Sequence, residues 1–280
     1  MIRSLLYVPA NSERFVAKAH ERGADAIILD LEDAVAPSEK PAARAGLADA
    51  VAAVGRNGAS VFVRINAEPA LSQADAEAAC RAGAFGLFVP KVREPKTLQE
   101  IAAALAAVER EVGRDTTALV PMIEDPGAVL DARALARATP RVHALITGGE
   151  DIATAMNAEP SPEVLHLPKL LVHMAAKAAG VLSWGLLRTV ADYSNLEAIE
   201  ESASQARRFG FDGATCVHPA VVPLLNKAFS PSEEECERAR RVVDAYEQAK
   251  AQGKGAIELD GMMIDEPVAR RARALLQRAV

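Results

Sequence analysis

The chain has 280 residues, half of them hydrophobic, and a formal net charge of −6 with both signs interspersed. That length suits one large domain or two small ones, and the charge lacks the concentrated basic footprint of a nucleic-acid binder. Cys80, Cys216 and Cys236 stand far apart with no CxxC pair, which argues against a disulfide framework or a zinc site and fits a reducing compartment.

The first fifteen residues, MIRSLLYVPANSERF, hold an apolar run too short for a secretory signal. No run approaches the ~18 apolar residues of a membrane span. A soluble, cytoplasmic protein without membrane or nucleic-acid partners is expected.

Short apolar runs then alternate with longer, Ala-rich helical stretches. In chain order the runs are SLLYVP (4–9), AIILDL (26–31), SVFVRI (60–65), GLFVP (86–90), ALVPMI (118–123), ALIT (144–147), VLSWGL (181–186) and GATCV (213–217). They are short and unalternated, as strands buried on both faces of a parallel sheet are. Their spacing leaves room for a helix and two loops between successive strands. Several intervals close on a glycine helix stop: ERGAD, GRNGAS, RAGAFG and RFGFDG. Eight such units predict an α/β fold, a (β/α)8 TIM barrel over residues 1–229. An open doubly wound sheet is the alternative. The absence of a GxGxxG or GxxxxGK[ST] loop after any strand weighs against it.

Residues 230–280 read as a C-terminal helical extension. Ser230 or Ser232 caps a helix with Glu in its first turn, ended by Gly253. A tail follows with a turn at Asp260-Gly261, an apolar MMI and a closing basic helix. A simple barrel has no need of it, so it packs on the barrel or reaches a neighbouring subunit.

A barrel of this kind carries its active site at the C-terminal strand ends. Those ends hold Tyr7 to Asn11 with Arg14 next, then Asp30-Leu31-Glu32-Asp33, Arg64-Ile65-Asn66, Pro90-Lys91, Glu124-Asp125, Gly148-Gly149-Glu150-Asp151 and His218-Pro219. Carboxylates converging without His or Cys are hard oxygen ligands and favour magnesium over zinc or copper. Glu124 and Asp151, at the ends of adjacent strands, are the candidate metal pair. Gly148 and Gly149 would let a substrate approach the backbone. Plainer readings stand beside these. Asp30, Glu32 and Asp33 suit helix starts or internal ion pairs, and Arg64 suits a pair with Glu32. Nothing local singles out Lys91 as a Schiff-base lysine. His218 reads as a loop anchor, His166 and His173 as surface or packing residues, Met262 and Met263 as packing, and Cys216 as buried and inert.

At these residues the sequence resembles the citrate lyase beta-subunit family within the wider HpcH/HpaI aldolase group. The matching segments are RSLLYVPAN (3–11), DAIILDLEDAV (25–35), VFVRIN (61–66), LFVPKV (87–92), PMIED (121–125), GGEDIA (148–153), GFDGATCVHP (210–219) and GKGAIELDGMMIDEP (253–267). The resemblance implies a barrel assembling as a trimer or hexamer. It implies magnesium on Glu124 and Asp151, substrate binding by Arg64, a CoA contact at Arg14 and a water anchored near the metal by Glu32. It also implies that Asp265 of the MID tail enters a neighbouring subunit's active site as catalytic acid/base. Glu150 before Asp151 is closer to the stand-alone CoA-thioester members than to subunits of multi-enzyme citrate lyase.

The expected activity is magnesium-dependent cleavage of a 3-hydroxy-3-carboxyacyl-CoA thioester of the citramalyl, malyl or citryl type, giving acetyl-CoA and a 2-oxo acid. Two alternatives remain open at this point. One is a citryl-thioester lyase subunit working with an acyl carrier. The other is a CoA-free, metal-dependent aldolase.

Overall fold

A computed structural model of the chain describes residues 1–191 and 193–279. It divides into two compact units, one of Ile2–Asn226 and one beginning at Lys227.

In the first unit β1 (Ser4–Pro9), β2 (Ala26–Asp30), β3 (Ser60–Arg64), β4 (Gly86–Val89), β5 (Ala118–Ile123), β6 (Ala144–Thr147), β7 (Leu182–Trp184) and β8 (Ala214–Cys216) form one sheet. Its spatial order is β7-β6-β5-β4-β3-β2-β1-β8, and every pairing is parallel. Between β7 and β8 the ring closes by a parallel bridge of Trp184 to Gly213. The Asp212 N–H donates to the Ser183 carbonyl at 2.9 Å and the Gly185 N–H to the Gly213 carbonyl at 2.9 Å. This is the (β/α)8 ring expected from the eight runs. Each run contains its strand, and β7 and β8 are trimmed to three residues each.

The strands form where they do because both faces find cover. All five residues of β2 and all four of β4 are buried. Alternate residues point into the ring, where Leu5, Ile28, Phe62, Phe88, Met122 and Trp184 belong to one apolar cluster. Phe62 meets Phe88 edge-on at 5.4 Å and Trp184 edge-on at 5.7 Å, while Phe88 and Trp184 stack at 6.1 Å. At the opposite end from the mouth, Asp25 accepts from Arg3 Nε and Nη2 at 2.7 Å each, fixing the start of β1 to the residue before β2. His173 stacks on Phe211 at 4.4 Å and His166 meets Phe209 edge-on, the packing roles expected of them.

The second unit has its own small core of Val242, Tyr246, Ile264 and Ala269. Its long helix, Glu233–Ala251, begins at Ser232 in a capping box with Glu235. Two short strands, β9 (Ile257–Leu259) and β10 (Met262–Ile264), pair antiparallel around Asp260-Gly261. Both turn residues have positive φ, 52° and 75°, the geometry that a two-residue hairpin demands. Met262 and Met263, expected to pack, are exposed, and Ile264 takes the buried place. No helix among the described residues is long and apolar enough to cross a membrane.

Where the start of β1 runs beside β8, the ring tolerates no side chain at residue 213. A Cβ there would lie 2.4 Å from the Ile2 carbonyl oxygen and 2.8 Å from that of Arg3. Gly213→Ala should therefore destabilise the barrel by ~1–3 kcal/mol, as overpacking does. A urea midpoint equal to that of the wild type would show that the start of β1 can shift to make room.

Candidate functional site

The period of two that fills the barrel also delivers the charges to its mouth. Two residues beyond an inward apolar side chain, the next inward position emerges at the C-terminal end. So Leu5 leads to Tyr7, Ile28 to Asp30, Phe62 to Arg64, Met122 to Glu124 and Ile146 to Gly148. The register sets Asp30 directly beside Arg64 on the neighbouring strand.

Arg64 is the hub of this layer. Its Nε donates to Asp30 Oδ1 at 2.7 Å and its Nη2 to Asp30 Oδ2 at 2.6 Å, a two-pronged grip. Its Nη1 lies 3.1 Å from Glu32 and 3.2 Å from Asp33. The guanidinium also sits over the Tyr7 ring at 5.2 Å. Burial works against the Arg64 charge, but the Asp30 hydrogen bonds outweigh it and raise the pKa. These contacts leave one Nη2 N–H for a ligand.

Glu32 is buried, and neither of its oxygens accepts a hydrogen bond. Each faces a cation instead, Arg64 Nη1 at 3.1 Å and Lys91 Nζ at 3.1 Å. Burial pushes its carboxyl up, and Arg64 opposes the shift.

Glu124 is buried as well, and its Oε2 accepts from the Lys91 N–H at 2.7 Å. Lys91 takes a left-handed φ of 53° to aim that amide, a conformation costly for a non-glycine residue. Burial, reinforced by the charges of Asp151 and Glu32, pushes the Glu124 carboxyl up to about 7 despite that hydrogen bond. Asp151 lies in the first turn of the helix Gly149–Ala155.

Glu124, Asp151 and Arg64 line one cavity of about 160 Å³. It is well below the ~300 Å³ of a drug-sized pocket, so it admits a small acid rather than a whole thioester. A second cavity of about 650 Å³ carries Arg14, Lys18 and Arg22, four residues apart and exposed, together with His218. Tyr7 and Val217 belong to the walls of both.

Buried Glu124, its carboxyl pushed up by burial and by the nearby Asp151 charge, has the character of a ligand for a hard cation, whose charge would relieve that repulsion. Glu32, with bare oxygens close by, suits a water held by that cation. Among the described residues no three His, Cys, Asp or Glu side chains converge at metal distance. A two-carboxylate site finished by water and substrate is the arrangement magnesium commonly takes.

Of the residues singled out from sequence, Arg64, Glu124 and Asp151 share one cavity, with Glu32 on Arg64. Arg14 lines the adjoining cavity. Asp265 belongs to the second unit, where it caps the helix Glu266–Arg278 by accepting from the Val268 N–H at 3.2 Å. Arg64 does pair with Glu32, but its main partner is Asp30. His218 anchors its loop, its Nδ1 accepting from the Ala220 N–H at 3.2 Å and its ring stacking on Tyr193 at 4.9 Å. Cys216 is buried, which pushes its thiol up to about 12, so it is inert.

Sequence reasoning missed Lys169 and Thr189, both on the wall of the small cavity. Lys169 comes from the helix Pro162–Ala179 rather than from a strand end. The available signal was a lysine inside an otherwise apolar helical stripe, Leu165, Lys169, Val172 and Ala176.

The HpcH/HpaI aldolase/citrate lyase family model matches residues 3–219. The citrate lyase subunit beta of Leuconostoc mesenteroides is 31% identical over 99% of this chain and 93% of its own length. A (3S)-malyl-CoA thioesterase of Cereibacter sphaeroides is 34% identical over 99% of this chain and 94% of its own. Among solved structures, the CitE protein of Mycobacterium tuberculosis, in complex with magnesium, acetoacetate and coenzyme A, superposes with a TM-score of 0.80. It shares 30% identity and covers 99% of this chain and 97% of its own.

The cation pair has a built-in test at Gly148, whose φ of −79° any residue can adopt. A Cβ there would fall 2.6 Å from Glu124 Oε1 and 2.5 Å from its Cγ. Gly148→Ala should displace that carboxylate and weaken divalent-cation binding by roughly 10–100-fold, the usual penalty for disturbing a ligand's support. Titration calorimetry with magnesium reads the change, and an unaltered affinity would remove Glu124 from the cation site.

Proposed function

The chain belongs to the HpcH/HpaI aldolase/citrate lyase family, and we propose that it cleaves a 3-hydroxy-3-carboxyacyl-CoA thioester to acetyl-CoA and a 2-oxo acid with magnesium on Glu124 and Asp151. One juxtaposition carries this reading. A small cavity with two facing carboxylates and an arginine adjoins a larger one rimmed by a basic row. The first suits the oxo-acid end of such a substrate, and the second suits its phosphate-bearing carrier.

Magnesium would supply Lewis-acid charge that stabilises the oxygen next to the breaking carbon–carbon bond. The protein does the rest. As the hydroxyl gives its proton to the water beside Glu32 and becomes the oxo-acid carbonyl, the bond's electrons pass to the acetyl thioester as an enolate. Arg64, held by Asp30, Glu32 and Asp33, meets that charge with its remaining Nη2 N–H, and a fixed donor is strongest in a dry site. Glu32 accepts from water beside the two metal carboxylates. Asp265, delivered from a second copy in a trimer or hexamer, protonates the enolate carbon. Arg14, Lys18 and Arg22 bind the phosphates of CoA as charged donors that play no part in bond breaking.

A second reading is favoured by relatives that are citrate lyase beta subunits. In it the same cleavage acts on a thioester borne by a small carrier protein, which would dock on that basic row.

The deciding assay presents citramalyl-CoA, malyl-CoA and citryl-CoA separately, each with magnesium and with EDTA. Acetyl-CoA release that EDTA abolishes is the expected result. No release from any of the three would reject the stand-alone CoA lyase. Asp265→Asn should lower the rate by ~10²–10⁴-fold, the span of general acid catalysis, and a wild-type rate would cancel that role. Arg14→Ala with Lys18→Ala should raise KM for the CoA substrate about tenfold with kcat nearly unchanged, the mark of binding made equally in ground and transition states. A fall in kcat at constant KM would contradict it.

A further inference from the structure

We propose that Lys169 binds a second carboxylate on the oxo-acid portion of the substrate, so that the acid this site handles is a 2-oxo dicarboxylic acid of the oxaloacetate type. This rests on the lyase reading above and names its substrate class. Lys169 is 4% exposed, yet it lines the small cavity. Among the described residues no hydrogen bond or ion pair reaches its ammonium. A buried charge with no partner is expensive, and an anionic ligand is what relieves it.

The surroundings keep this cation available. Arg64, the other cation of the cavity wall, is already held by three carboxylates. Glu150 is the one acid with an electrostatic effect on Lys169, but it is exposed and turns its Oε1 to the Thr189 hydroxyl. The lysine stem runs beside Gly149, where a Cβ would stand in ordinary contact with Lys169 Cε at 3.6 Å. Burial lowers the lysine to about 8, which still leaves the ammonium form dominant at neutral pH.

The remaining wall includes Met122, Ile146, Leu186 and Val190. An oxo acid chelated between Glu124 and Asp151 therefore projects its far substituent among apolar side chains and one lysine. A methyl group, as in pyruvate, would leave the ammonium unpaired. A carboxylate would pair with it, and a site built for a polar group discriminates strongly against an analogue lacking one.

Calorimetric titration of the magnesium-loaded protein with oxaloacetate and with pyruvate tests this. The wild type should bind oxaloacetate at least tenfold more tightly. Lys169→Met should erase the difference by weakening oxaloacetate alone, and Lys169→Arg should keep it. Lys169→Gln replaces the Met variant if that one fails to fold. Equal wild-type affinities, or parallel loss of both acids in the variant, would overturn the lysine's role and leave the lyase reading intact. Borohydride trapping of pyruvate on Lys169 would overturn it in favour of an imine. Binding of neither acid would bring down both readings.

Discussion

The Asp30–Arg64 pair is the interaction on which the mouth of the barrel depends. The strand ends bring Asp30, Glu32, Asp33, Glu124 and Asp151 towards one layer, and such a crowd of carboxylates would repel itself. One guanidinium, set beside Asp30 by strand register and gripped through two hydrogen bonds, is shared among three of those carboxylates and eases their repulsion. Its planarity and five fixed donors are what the geometry uses, and a lysine could not make the same contacts. Glu124 and Asp151 are the two that Arg64 does not contact, and burial together with the neighbouring carboxylates pushes the Glu124 carboxyl up.

Much of this was legible in the sequence because β-structure has a period of two. A run such as AIILDL states that it is buried on both faces, and its Asp falls at the mouth end. The same logic predicts which charges cluster, because strand ends in a barrel share one rim. It fails where the period changes. Lys169 reaches the cavity from a helix, and its significance lies in burial without a partner, which a sequence does not display. The backbone role of Lys91 was equally hidden. Its side chain drew attention as an amine, whereas its N–H, aimed by a left-handed φ, is what touches Glu124. In the tail, the Asp260-Gly261 turn was visible, but three-residue strands on either side carry too little pattern to be seen.

Two glycines mark places where the fold and the site compete for the same space. Gly213 lets the start of β1 lie close against β8, and Gly148 gives Glu124 room for its carboxylate. Neither needs glycine's conformational freedom. What each position requires is the absence of a Cβ, because a backbone oxygen or the Glu124 side chain already fills that volume. The site's precision thus derives from close packing as much as from charge.

The shortness of β7 and β8 has a consequence for how the barrel moves. Glu124 and Arg64 stand at the ends of strands five or six residues long, each paired with both neighbouring strands. The opposite wall, with Gly185, Leu186, Thr189 and Val190, follows directly from a three-residue strand joined to β8 by a bridge and two hydrogen bonds. Local opening is cheapest where pairing is sparsest. The cavity therefore has a stiff side and a compliant side. The cost of opening the ring is lowest along that seam, on the side of the cavity lined by Leu186, Thr189 and Val190.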